Sequence, residues 1–430
     1  MAIGPGSRQT TYDLGVTEDK PRAAPLGALA LLWLLIVSTP DNYHVHSYSV
    51  GALLTIFTAM VALLCLATGG VGLYKSRPGY EPTLRTHGPY APRALTAFAV
   101  WAVVSLVLRP TNAGMQNVLV YVTFVTAIIV TARAASAGTA ERFLRACCRV
   151  NWFVALAYLA TVAGSGPGAS AVYSARIVAL SLALMLAVSS TSSPSRLLPL
   201  LTLAAVVLSL SRTAAVVAVV VYFLSFALRG GRVHRVGRVL VLFTVGFAAA
   251  LGLVLKIAPL RNRFLGGDQA VTYDGRFLNT SGRTQLWSFT WKSAQHHLWF
   301  GGGPGSAQNE IVKAFNGAVA HPHNDYLRLL HDFGIVGVTL FALGYLSLMR
   351  RTWSRGRRQP AKVHSAAFLA LLTVMLCAIT DNVLVYPFVM FPLGVLVGLS
   401  LATPTEARTG AQEEGTLQEP RNGSAVLPVP

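Results

Sequence analysis

The chain has 430 residues, 53% of them hydrophobic and only 12% charged, with 35 Lys+Arg against 16 Asp+Glu for a formal net charge of +19. Soluble domains carry about 25% charged residues, so this composition excludes a water-soluble globular enzyme and a disordered chain, and four cysteines are too few for a secreted disulfide scaffold. A basic excess points to nucleic acid in a soluble protein, so the first question is where the cations lie relative to the apolar segments.

In chain order, residues 1–25 are polar and predict an N-terminal tail without a secretory leader. A membrane-crossing helix takes about 20 predominantly apolar residues. Twelve such runs follow, at 26–39, 48–74, 94–108, 114–132, 150–165, 173–190, 196–210, 213–228, 239–255, 326–349, 364–380 and 383–402. Residues 257–324 form one long non-membrane segment between the ninth and tenth runs, and the Pro/Glu/Gly-rich stretch 403–430 reads as a disordered tail. The expectation is an all-α polytopic membrane protein of about twelve transmembrane helices. Its parts are a tail (1–25), helices one to nine (26–256), an outer loop (257–324), helices ten to twelve (325–402) and a second tail (403–430).

Cation placement fixes the expected orientation, because short cytoplasmic loops are enriched in Lys and Arg. With both termini in the cytoplasm, 24 of the 35 cations fall inside, and clusters such as Arg229-Arg232-Arg235-Arg238 and Arg350-Arg351 lie there. Eight of the remaining 11 lie between Lys256 and Arg328, which leaves Arg109, Arg176 and Arg212 for every other outer position. The charge is then a topological anchor, and nucleic acid is not the expected partner. The outer loop carries Trp287, Phe289, Trp291, Trp299 and Phe300 at spacings suited to a helix lying on the interface. Cys65, Cys147, Cys148 and Cys377 fall in spans or a cytoplasmic loop and read as small apolar residues.

Ionisable residues at membrane depth mark functional sites, and four outer positions stand out. Arg212, in Ser209-Leu210-Ser211-Arg212-Thr213, either snorkels to the headgroups or holds an anion with the hydroxyls around it. Arg283 opens a segment that reads as a capped helix, whose N-terminus offers free N–H groups to an anion. His323, in His321-Pro322-His323-Asn324-Asp325, is a natural general base for a hydroxyl. The rival reading is a metal pair of His321 and His323 with help from His296 and His297, although no Cys or carboxylate cluster completes it. Asp381, in Ile379-Thr380-Asp381-Asn382, either orients a histidine, pairs with an arginine, or simply ends a helix. The run Gly301-Gly302-Gly303-Pro304-Gly305-Ser306 lacks the Gly-Lys-Ser/Thr ending of a nucleotide loop, although its backbone N–H groups suit an anion pocket.

From His323 the chain reads His-Asn, nine residues, then Gly334-Ile335-Val336-Gly337, an His-Asn-x9-Gly-x-x-Gly pattern. With Ser211-Arg212-Thr213, the Ser281–Trp287 and Phe300–Ser306 stretches, and Thr380-Asp381-Asn382, it resembles the O-antigen ligase superfamily of ligases and O-antigen-type polymerases. The resemblance is sharp over 205–382 and architectural before that. It implies a GT-C-like membrane glycosyltransferase at the outer face of the bacterial cytoplasmic membrane. The implied donor is a glycan on undecaprenyl pyrophosphate, the acceptor a hydroxyl of a glycolipid, glycan or wall polymer. Neither a nucleotide sugar, a metal nor any other cofactor is implied. By the same resemblance His323 is the base, Arg212 and Arg283 bind the pyrophosphate, and Asp381 is an acidic partner in the site. Ser211, Asn324, Gly334 and Gly337 then support them. A polymerase of the same superfamily is the alternative, and a glycolipid flippase the other class. A flippase would place its charges near the bilayer centre in broken helices, whereas these residues gather at one face.

Overall fold

A computed structural model describes residues 91–135, 138–169, 175–228, 283–317, 319–359 and 361–403, together with the backbone of two short strand pairs. The expected span at 26–39, nearly all of those at 48–74 and 239–255, nearly all of both tails, and most of 257–282 lie outside the described residues. The helices are α1 (Arg93–Leu108), α2 (Asn112–Ala134), α3 (Thr139–Ser165), α4 (Ala175–Ser192), α5 (Leu197–Leu208), α6 (Arg212–Leu228), α7 (Arg283–Ala294), α8 (Ser306–Ala314), α9 (Asp325–Arg358), α10 (Lys362–Cys377) and α11 (Pro387–Ala402). Among the described residues, α2, α3, α4 and α9 are long and apolar enough to cross a membrane, while α1, α5, α6, α10 and α11 are apolar but shorter.

Three features depart from the expected elements. The helix expected from 150 begins at Thr139, and its first turns carry Arg142, Arg145 and Arg149, with a Glu141–Arg145 pair one turn apart. Hydropathy stops at the cations, but the helix does not, because Arg and Glu are good helix formers. The span expected at 326–349 is a 34-residue helix broken at Gly334, whose φ of 67° and ψ of −172° are a glycine conformation. Four-residue strands Ala270–Tyr273 and Arg276–Asn279 pair antiparallel, Ala270 opposite Asn279, within the segment expected to be loop and helix. They flank Asp274-Gly275, a dipeptide that is a strong hairpin signal in itself. A second antiparallel pair joins His44–Val45 to Tyr48–Ser49.

The bundle is built around α4, which packs against α3, α5, α6 and α10 and is buried along nearly its whole length. Without a strong hydrophobic force between helices in lipid, close backbone approach supplies the packing. Helix α11 meets α2 this way: a Cβ on Gly394 would crowd the Phe124 carbonyl, and one on Gly398 the Ile128 carbonyl. Helix α9 crosses α1 where a Cβ on Gly344 would enter the Leu95 backbone. Phe98 anchors this crossing, edge-on to Tyr121, Phe333 and Phe341 at ring separations of 5.2–5.4 Å. At the end bearing Arg350–Arg358, Arg355 donates to the carbonyls of Ser400, Leu401 and Thr403, closing the C-terminus of α11. The opposite end gathers the starts of α4, α6 and α9 with the turn between α10 and α11, and the candidate site is there.

Candidate functional site

The site begins with a short strained loop. His321-Pro322-His323-Asn324 leads into α9, and His323 has φ 53°, a left-handed conformation that costs a non-glycine residue roughly 1–2 kcal/mol. Two contacts hold the loop. Trp287 Nε1 of α7 donates to the Pro322 carbonyl at 2.9 Å, and the Asn324 side chain caps α9 by accepting from the Leu327 N–H at 3.0 Å. Asn324 is thus the N-cap of α9. Asn324→Ala is expected to cost about 1 kcal/mol of stability, with Asn324→Ser losing far less, as read by thermal unfolding in detergent.

Around His323 the structure assembles residues remote in sequence. Arg176, at the head of α4, grips Asp381 through both carboxylate oxygens, its Nε donating to Oδ2 at 3.0 Å. The same guanidinium reaches His323 Nδ1 with Nη2 at 2.9 Å. Asp381 is 1% exposed, and its Oδ1 also accepts the Asn382 N–H at 2.7 Å. The Asn382 amide nitrogen lies 3.2 Å from His323 Nδ1. Asp381 therefore does not end a helix: α10 stops at Cys377, and the acid sits in the turn before Val383–Val385, a 3₁₀ turn that precedes α11. Arg176 was counted in the sequence only as one of three scattered outer cations. Its signal is a lone arginine opening an otherwise apolar span.

The two arginines expected at the site are placed differently. Arg283 is the first residue of α7, one turn ahead of Trp287, and its charge acts on the His323 ring. Arg212 opens α6 beside Thr213, whose hydroxyl lies 2.6 Å from that of Thr380, the neighbour of Asp381. The Ser211 carbonyl accepts the Ala215 N–H at the start of α6, after Leu210 with its left-handed φ of 59°. The structure thus brings Arg212 to the edge of the cluster through its chain neighbour.

Burial, then the charges of Arg176 and Arg283, push the His323 pKa down to about 3. Burial, then Arg328 and Arg176, push His321 to about 4 against an opposing pull from Asp332. Both imidazoles are therefore neutral at pH 7. Because the unfolded histidines titrate near 6.5, acid drives protons onto the unfolded chain first, so stability is full above about pH 6.5 and falls as pH drops toward 4. A plot of thermal midpoint against pH is expected to slope through that window and to flatten in part in His321→Gln. Among the described residues no group of three or more His, Cys, Asp or Glu has the arrangement to hold a metal ion. His321 Nδ1 is buried without a partner, and His323 Nδ1 is taken by Arg176.

Beneath the loop lies a buried ion pair one helical turn long, Asp325 with Arg328, both within 1% of full burial. Asp325 also accepts the Leu384 N–H at 2.7 Å, and Arg328 reaches the Tyr121 hydroxyl at 3.4 Å. The pair ties α9 to the turn carrying Asp381.

The glycine-rich run does hold an anion, and the anion is the protein's own. The Asp332 carboxylate accepts the N–H groups of Gly305 and Ala307 at 3.0 and 2.9 Å and the Ser306 hydroxyl at 3.1 Å. Gly302 and Gly303 donate to the carbonyls of His331 and Asp332, and Arg109 donates to Gly301. This docking explains the spaced glycines of the motif. The break at Gly334 frees the N–H groups of Ile335 and Val336, which are taken by the carbonyls of Leu298 and Trp299. A Cβ on Gly334 would enter the Trp299–Phe300 backbone, and one on Gly337 would meet Phe333. Both glycines are therefore structural. Trp287 and Phe289 are used for internal packing, while Trp291, Trp299 and Phe300 remain 46%, 66% and 63% exposed, as aromatic residues at a membrane interface would be.

No curated protein matches the chain significantly. A family model described as O-antigen ligase matches residues 197–342, a segment holding Arg212, Arg283, His323 and both motif glycines, while Arg176 and Asp381 flank it. That segment is similar to the O-antigen ligase family, and apolar helices long enough to cross a membrane surround it, as expected of an integral membrane protein of the ligase or polymerase type.

Proposed function

We propose that the chain transfers a glycan from undecaprenyl pyrophosphate to an acceptor hydroxyl at the outer face of the bacterial cytoplasmic membrane, as a ligase. The observation that carries this is the convergence of His323, Asp381 and Arg176 with the charge of Arg283 at one end of an apolar bundle. The opposite end bears Arg142, Arg145, Arg350, Arg351, Arg355, Arg357 and Arg358, which supports the proposed orientation.

The acceptor oxygen attacks the anomeric carbon as the bond to the pyrophosphate oxygen breaks. The electron pair of that bond stays on the leaving group, and the acceptor proton passes to His323. Attack opposite the leaving group inverts the anomeric centre. Negative charge grows on the pyrophosphate, and fixed guanidinium groups at Arg283 and Arg212 stabilise it in a water-poor site where their field is weakly screened. The departing group needs no nucleotide, and the arginines supply the positive charge that a metal supplies elsewhere. An acceptor hydroxyl on a lipid, a repeat unit or a wall polymer meets the same geometry.

The test is Arg283→Ala in a transfer assay with purified protein. Loss of one preorganised electrostatic contact is expected to lower kcat by about 10²–10³-fold, with Arg283→Lys retaining part of it because it keeps the charge and loses the fork. Undiminished transfer by Arg283→Ala would remove it from the site.

A further inference from the structure

His323 as it stands in the free protein is not yet a base at its outer nitrogen. A guanidinium can only donate, so His323 Nδ1, 2.9 Å from Arg176 Nη2, carries the lone pair and the ring proton sits on Nε2. Two further observations say that this pattern is one of two. Nδ1 faces two donors, Arg176 Nη2 and Asn382 Nδ2, while the Oδ1 of the fully buried Asn382 has no partner. One nitrogen, Arg176 Nη2, also touches both Asp381 Oδ1 and His323 Nδ1, so carboxylate and ring stand on either side of a single removable group.

Of that trio the arginine is the part able to move. Its side chain is 35% exposed against 2% for Asp381, and among the described residues its Nη1 makes no hydrogen bond. Its Nη1 thus keeps two N–H groups uncommitted within the described residues, on a fork suited to phosphate oxygens.

We infer that Arg176 is a positioning residue, holding His323 in the Nε2–H form until a diphosphate draws the guanidinium away and the ring tautomerises to Nδ1–H, which donates a hydrogen bond to the Asp381 carboxylate and leaves Nε2 with the lone pair of a base. The proposal rests on the transfer reading above and adds its order: donor first, base second. No net proton moves in the switch, since the ring releases one proton to solvent at Nε2 and takes one from solvent at Nδ1. The acceptor proton then goes to Nε2, and the imidazolium is balanced by Asp381 until it discharges to solvent. The same event relieves the acidity imposed on the ring by Arg176 and Arg283, because the diphosphate charge lies against both.

The test is ¹⁵N NMR of the histidine side chains in the full chain in detergent, with the His323 signals assigned by their loss in His323→Gln. In the free protein the unprotonated-type shift is expected at Nδ1. Saturating inorganic pyrophosphate is expected to move it to Nε2, and Arg176→Ala to place it there without pyrophosphate, whereas Arg176→Lys keeps it at Nδ1. Should Arg176→Ala fail to fold, the pyrophosphate titration of the unaltered protein decides alone. Nδ1–H in the free protein, or a tautomer that ignores bound pyrophosphate, overturns the inference. A tautomer that switches in a protein unable to transfer any lipid-linked glycan would leave this switch standing and reject the proposed function.

Discussion

Replacing His323 by glycine is expected to lower glycan transfer by about 10²–10⁴-fold, the usual worth of a positioned general base, while leaving the protein as stable as before or more so. The two effects separate because they come from different atoms. The ring supplies the chemistry. The backbone, held at φ 53° by the Trp287–Pro322 contact and the Asn324 cap, carries strain that glycine does not feel. The Arg176–Asp381 pair survives the change, so Asp381 keeps its counter-charge. His323→Ala is expected to be equally inactive without the gain in stability. Activity assays alongside thermal unfolding in one detergent check the pair, and a glycine variant that is both inactive and strongly destabilised would mean that the ring packs the fold.

Arg328→Met is expected to be the most damaging single change to stability among the charged residues of the site region, at about 3–5 kcal/mol. Arg328 and Asp325 are both essentially inaccessible, so removing the cation leaves a carboxylate in a water-poor interior with the Leu384 and Val383 N–H groups and the more distant Arg176 charge in place of its close counter-charge. The double variant Asp325→Asn/Arg328→Met is expected to recover much of the loss, because a neutral amide needs no counter-charge. Thermal midpoints of the two variants decide: equal losses in single and double would mean that the arginine stabilises by packing and not by charge.

The apolar spans could be read because a lipid environment forces long hydrophobic runs, and α1, α2, α4, α5 and α6 begin and end within a few residues of expectation. The start of α3 was not legible by hydropathy, since its cations lie on a helix that continues past the apolar part. His323 and Arg283 could be picked out because chemistry-bearing residues near membrane depth are scarce. Asp381 could be found but not its role, since its partner is 205 residues away and an arginine at a span end is indistinguishable in sequence from one that snorkels. The glycine run shows the same limit from the other side. Its N–H groups signalled an anion, and only the tertiary fold reveals that Asp332 fills that place.

The similarity to the O-antigen ligase family covers residues 197–342, and the proposed chemistry joins that segment to Arg176 before it and Asp381 after it. The most direct measurement is transfer from undecaprenyl-pyrophosphate-linked glycan to acceptor by purified protein, without nucleotide and in EDTA, comparing the unaltered chain with His323→Gly. The account predicts transfer with inversion by the unaltered chain and its loss in the folded variant. Equal transfer by both, or activity that vanishes in EDTA and returns with Zn²⁺, would contradict it.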